Sequence, residues 1–236
     1  MTRARSKRPD PDATPAGRPS EARRDVEAPE AEPLLLIISS PSGAGKTTLT
    51  RALLARFSDF RFSVSHTTRP PRRGEIDGKD YHFVDEATFR KMVDAHAFAE
   101  WAEVHGNLYG TALSEIDRCR QEGKHGIVFD IDYQGARQIK AARPAAIGVF
   151  ILPPSMAELE RRLRGRASDD AAAIERRFRN ATREIENHGL FDYMIVNHDV
   201  EQATERLCAI VLSERARHER MAPIAEALLA QARARK

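Results

Sequence analysis

The stretch Leu34-Leu35-Leu36-Ile37-Ile38-Ser39-Ser40-Pro41-Ser42-Gly43-Ala44-Gly45-Lys46-Thr47-Thr48 constrains the chain more than any other. Its five leading apolar residues form a run of the kind expected of a buried parallel strand. A Ser/Gly-rich turn follows, then a helical pattern from Thr47 to Phe57 with Leu49, Leu53 and Leu54 on one face. Strand, tight turn, helix is the context that a phosphate-binding loop requires. Small residues let consecutive backbone N–H groups point into an anion-binding concavity, and the helix N-terminus adds its partial positive charge. Ser40, Pro41, Ser42, Gly43, Ala44, Gly45, Lys46, Thr47 and Thr48 are therefore expected to cradle nucleotide phosphates. Lys46 can reach the β- and γ-phosphates, and the Thr47 hydroxyl can ligate Mg²⁺. The usual pattern G-x-x-x-x-G-K-[ST] has one departure, Ser40 in place of the first Gly. A turn made small for steric reasons alone is the alternative, but strand, Gly43, Gly45, Lys46 and Thr47 all fit a phosphate site together.

A chain of 236 residues can bury a substantial core. No apolar run approaches the ~20 residues that span a bilayer, and 31% charged residues describe a soluble protein. Cys119 and Cys208 lie far apart with no C-x-x-C partner, which suits a reducing, cytoplasmic setting rather than a disulfide framework or a zinc site. The net charge of +3 is only mildly basic and does not by itself demand nucleic acid. Residues 1–32 are rich in Pro, Arg, Asp, Glu and Ala without apolar periodicity, so they are expected to be a disordered tail. They lack the apolar core of a secretory signal, and their acids count against a transit peptide.

Further along, Phe60–Ser65 reads as a second strand. It leads into a Pro-containing segment where Arg69, Arg72 and Arg73 gather. That segment is either a solvated basic loop or a clamp for a second phosphate, since Arg offers a planar fork suited to phosphate oxygens. Tyr81–Val84 and Phe98–Val104 read as strands, with a helix from Asp85 or Glu86 to about Asp94 between them. Residues 65–111 thus form a small mixed insertion. The core resumes with a helix from about Ala112 to Glu122 and a buried strand, Ile127 to Asp132, that ends in carboxylates. A carboxylate at the tip of such a strand, beside the phosphate loop, either organises Mg²⁺ or caps the helix from Tyr133, and Asp130 and Asp132 leave room for one of each. Ile147–Leu152 is a further strand, Ser155 caps the next helix, and a Gly- and Arg-containing connection leads into another helix through Ile185. Residues of about 155–185 are a candidate mobile lid. Met194–Asn197 is the last strand, and Pro223 is expected to interrupt the closing helix ahead of a basic stretch, Ile224–Arg235.

Over about residues 34–212 the chain resembles guanylate kinase, the P-loop enzyme family that moves a phosphoryl group from ATP to GMP. Six blocks carry the resemblance in order: S-x-P-S-G-A-G-K-T, V-S-H-T-T-R-P-P-R-x-G-E, G-K-D-Y-H-F-V, F-x-E-W-A-E-V-H-G-N-x-Y-G-T, D-I-D-x-Q-G and R-L-R-G-R. The resemblance implies an α/β fold: a three-layer core (33–64 and 112–215) with a parallel sheet, a GMP-binding insertion and a helical lid. It implies that Arg69 and Arg72 hold the GMP phosphate with Tyr81 and Tyr109, and that Ser65, Glu100 and Thr111 read guanine. Asp130 and Asp132 match the acidic pair between the nucleotides, Asp132 on the GMP side and Asp130 with Thr47 on the metal, through water. Arg162, Arg166 and Arg177 match arginines that close over ATP and join Lys46 in catalysis, and Asn197 shapes the adenine pocket. The implied partners are ATP with Mg²⁺ and GMP (dGMP as well), with no membrane, no specific nucleic acid, and a monomer or homo-oligomer. Four positions depart from the family pattern: Ser40, Arg73, Leu108 and Ala167. A binding-only module of this architecture would lack parts of the phosphate loop and its arginines, all present here.

Overall fold

Strand β1 (Leu34–Ser39) is buried along almost its whole length, as its unbroken apolar run requires of a strand covered on both faces. The computed structural model describes residues 32–104, 106–165 and 171–234. From β1 the chain continues through α1 (Lys46–Arg56), β2 (Phe60–Phe62), β3 (His66–Thr67), β4 (His82–Phe83) and α2 (Glu86–Asp94). Next come β5 (Phe98–Val104), β6 (Asn107–Ala112), α3 (Ser114–Gln121), β7 (Gly126–Asp130), α4 (Tyr133–Ala142) and β8 (Ile147–Leu152). The described elements end with α5 (Met156–Arg164), α6 (Ala171–Glu186), β9 (Tyr193–Val196), α7 (Val200–Arg215) and α8 (His218–Ala234). Residues Glu30–Ala222 form one compact unit, which holds every site discussed below.

The main sheet has the order β2-β7-β1-β8-β9, and its pairings are parallel. Strand side chains alternate between faces, and here the alternation divides the core. Leu34, Leu36 and Ile38 pack with Leu49 and Leu53 of α1 and Leu207 and Val211 of α7. Ile37 packs on the opposite face with Ile116 of α3 and Ile139 of α4. Helices on both faces of a parallel sheet make three layers. The register sets Asp130 opposite Ile38, at the carboxyl ends of adjoining strands, where open α/β sheets place their ligands. A second sheet, β4-β3-β6-β5, combines a parallel pair with antiparallel ones inside the segment read as an insertion.

Several boundaries differ from the sequence reading: β4 spans only His82–Phe83, β7 stops at Asp130 rather than Asp132, and β9 runs Tyr193–Val196. Phe60–Ser65 is not one strand: the Ser63 amide makes the last bond to the main sheet, at the Val128 carbonyl (3.0 Å), and the Val64 amide donates to the buried Glu115 carboxylate (3.1 Å) before β3 begins. Ala112 belongs to β6, paired with Phe98, so α3 starts at Ser114. Pro223 lies inside α8, and the break between the last two helices falls at Ala216 and Arg217 instead. As the sixth residue of α8, Pro223 leaves the Glu219 carbonyl without its i→i−4 donor, and the helix continues past it to Ala234. The expected N-terminal tail, apart from Glu32, and the lid connection Arg166–Asp170 lie outside the described residues.

Candidate active site

The loop between β1 and α1 is shaped by two left-handed glycines, Gly43 (φ 93°) and Gly45 (φ 102°). Gly45 is excluded from change twice over, since an added Cβ would also lie 2.3 Å from Asn197 Nδ2. It stands at the N-cap of α1 with no side-chain cap, so the first amides of that helix stay available to an anion. Ser40 has no positive φ, which explains why this position tolerates a residue other than Gly. Asn197, buried just past β9, donates from Nδ2 to the Ala44 carbonyl at 2.8 Å. Arg162 donates to the same carbonyl and to that of Asn197, both at 3.3 Å, while Glu158 holds its Nε at 2.8 Å. Both residues thus brace the back of the loop.

On the cavity side, Lys46 Nζ forms an ion pair with Asp130 and donates to the Ile131 carbonyl at 3.4 Å. Asp132 takes the capping task, accepting from the Gln134 and Gly135 amides at 2.9 and 3.1 Å. From α6, Glu184 accepts from the Ser42 amide at 3.1 Å.

The second half of the site rests on β5 and β6. Glu100 is 4% exposed and accepts from the Thr111 amide at 2.9 Å. Burial lifts its pKa to about 7, Asp132 adds to the rise, and Thr111 and Lys46 oppose it. Thr111 Oγ1 and Ser65 Oγ share a hydrogen bond of 2.9 Å. Gly135 makes room for this group: a Cβ there would lie 2.4 Å from Glu100 Oε2. Arg69 pairs with Glu75 at 2.8 Å and lies over the rings of Tyr81 and Phe83. The Glu75 partnership raises the Arg69 pKa, and the guanidinium correspondingly lowers that of Glu75. Tyr81 meets Tyr109 edge-on, centroids 6.0 Å apart.

These elements enclose a cavity of about 380 Å³. Its walls bring together Ser40, Ser42, Gly43, Gly45, Lys46, Thr47, Thr48, Ser65, Tyr81, Glu100, Tyr109, Asp130 and Asp132. Thr111 stands behind Ser65 and Glu100. Pro41 and Ala44 are buried within the loop. The Arg72 side chain is exposed outside the wall, although its amide donates to Glu75 at 2.7 Å. Arg162 and Asn197 reach the loop from behind, Arg177 is half-buried on α6, and Arg166 lies outside the described residues. Glu184 is a wall residue that the sequence reading did not single out.

A scan against family models matches residues 32–214 to guanylate kinase. The chain belongs to the guanylate kinase family. The kinase is 52% identical over 188 residues to the guanylate kinase of Syntrophotalea carbinolica, covering 80% of this chain and 89% of the relative. It is 52% identical over 185 residues to that of Nitratidesulfovibrio vulgaris, covering 78% and 89%. Among solved structures, the guanylate kinase of Anaplasma phagocytophilum superposes with a TM-score of 0.69 at 32% identity, covering 85% of the kinase and 95% of that chain. No helix among the described residues is long and apolar enough to cross a membrane.

Proposed function

We propose that this chain transfers the γ-phosphoryl group of ATP to GMP, and to dGMP, giving ADP and the diphosphate, and that it does so in the cytoplasm as part of purine nucleotide metabolism and GMP recycling. One observation carries the reading: the phosphate loop with Lys46 and the buried acceptor Glu100 line the same cavity. The ionised Glu100 carboxylate can accept from guanine N1–H and the exocyclic amine together, while Ser65 and Thr111 fix the edge beside it. Adenine offers neither donor there, and a polar site left unpaired discriminates by on the order of 10⁴. Arg69, held by Glu75, and Arg72 take the acceptor's phosphate with Tyr81 and Tyr109. In this division of labour residues 65–111 are the GMP-binding insertion and about 155–185 the lid.

The acceptor phosphate is already ionised, so transfer needs no dedicated general base. Positioning and charge neutralisation carry the step. Lys46, released from Asp130, follows the transferring group, with Arg162, Arg166 and Arg177 closing over the donor. Asn197 acts on the donor side through its hold on Ala44. Thr47 and Asp130 are hard oxygen donors on the cavity wall, a short protein set of the kind that suits Mg²⁺, which keeps several of its waters. Bound with ATP, that ion neutralises phosphate charge.

A coupled assay of ADP release with GMP, dGMP, AMP, CMP and UMP tests the reading. GMP and dGMP should be accepted, and kcat/KM for AMP should fall short by about 10⁴. AMP turnover within tenfold of GMP would sink it. A second test falls on Gly135. Gly135→Ala should push the Glu100 carboxylate out of place and raise the GMP KM by at least about tenfold, with the ATP KM nearly unchanged. An unaltered GMP KM would show that Glu100 does not read the acceptor.

A further inference from the structure

Most carboxylates on the α5–α6 hairpin serve neighbours on their own helix. Glu158 holds Arg161 and Arg162, Glu160 holds Arg164, and Glu175 holds Arg179. Glu184 differs. Its Oε2 accepts from the Ser42 amide at 3.1 Å, across 142 residues of sequence. Ser42 belongs to the phosphate loop, and Glu184 shares the cavity wall with Lys46, Thr47 and Asp132.

A carboxylate oxygen and a phosphate oxygen are both anionic acceptors and compete for one N–H donor. Holding both within contact distance of that donor would set like charges against each other where the surroundings are only partly solvated. Burial already raises the Glu184 pKa, with Asp132 adding to the rise, while the Ser42 amide and Lys46 draw it back. Further negative charge at this place therefore meets a group that is costly to keep ionised.

We propose that Glu184 is a displaceable positioning residue that competes with the donor's phosphates for the Ser42 amide, so that triphosphate binding releases the loop from α6. The proposal rests on the phosphate-loop reading of the site. Arg177 lies on the same helix two turns earlier, on the same face as Glu184. The exchange therefore couples arrival of the donor to the helix that carries an arginine assigned to it. A static brace would act in the opposite sense, since removing a brace loosens the loop and weakens phosphate binding.

The test is calorimetric titration of the full chain and of Glu184→Gln and Glu184→Ala with ATP, tripolyphosphate, adenosine and GMP, at neutral pH without added metal. Both variants should bind ATP and tripolyphosphate about three- to tenfold more tightly than the parent, the size of one relieved like-charge contact. Adenosine and GMP affinities should stay unchanged. Glu184→Asp retains the charge but is one methylene too short to keep the bond, so it should gain less than Glu184→Gln. Unchanged or weaker ATP binding in both neutral variants would overturn the proposal while leaving GMP phosphorylation by the parent intact. Failure of the parent to bind either ATP or tripolyphosphate would overturn the phosphate-loop reading, and this proposal with it.

Discussion

Lys46→Ala should lower kcat for phosphoryl transfer to GMP by about 10³-fold or more, the order of loss seen when one preorganised charge partner is removed from a transition state. Lys46 is the cation on the loop whose ammonium lies inside the cavity, where it pairs with Asp130. That pairing raises a second explanation for any loss, because removing Lys46 strands a carboxylate that is only 17% exposed. The two explanations separate in the double variant Lys46→Ala/Asp130→Asn. It should recover most of the stability lost in Lys46→Ala and none of the turnover. Lys46→Arg keeps the charge but replaces a compact ammonium with a planar fork too large for the same place, and should also stay far below the parent. Urea unfolding and steady-state rates on the four proteins decide the matter. Turnover by Lys46→Ala within tenfold of the parent would remove Lys46 from the chemistry.

How much of this was legible in the sequence depended on whether the physics is local. The phosphate loop was readable because an anion cradle needs left-handed turns and a helix start at fixed spacing, and Gly43, Gly45 and Lys46 encode them within one short stretch. The apolar run marked β1 as a buried parallel strand, while the three layers came with the family resemblance; in the structure the strand's alternate residues divide between the two core clusters. Contacts that join distant elements left no such trace. Asn197 was read as part of an adenine pocket, and its hold on Ala44 emerges only when β9 is set beside the loop. Gly135 closes the D-I-D-x-Q-G block without a role of its own in the sequence, and the Glu100 carboxylate beside the space of its missing Cβ supplies one. Glu184 sits in a helix crowded with acids and arginines, where a pair at i,i+4 is the ordinary expectation. The end of β2 is hidden in the sequence because Ser63, Val64 and Ser65 continue a strand pattern. Only the buried Glu115, reaching the Val64 amide from α3, shows where the backbone turns away.

Glu100→Gln should raise the GMP KM by about 100-fold near pH 8 and by much less under acid conditions. A glutamine can accept from only one of guanine's two donors and sets its own amide N–H₂ against the other, so one buried polar contact is lost and one repulsion added. The pH dependence follows from the folded-state pKa of about 7, raised from 4.5 chiefly by burial and also by Asp132, against the opposing pull of the Thr111 amide and Lys46. Below that pH the carboxyl carries a proton and presents a donor to guanine's donors, so GMP binding must expel the proton. The parent's KM should therefore rise by up to tenfold for each pH unit below 7, and the gap to Glu100→Gln should close accordingly. The acceptor's own phosphate titrates near pH 6, but it does so for both proteins and cancels in their ratio. Stability moves with the same proton. The folded chain holds it more tightly than the unfolded one, so the parent should lose stability as pH rises from about 4.5 to about 7. Glu100→Gln, with nothing to ionise, should not show that loss. A KM ratio that stays constant between pH 5.5 and 8.5 would mean that Glu100 meets guanine already ionised, and that burial does not govern its charge.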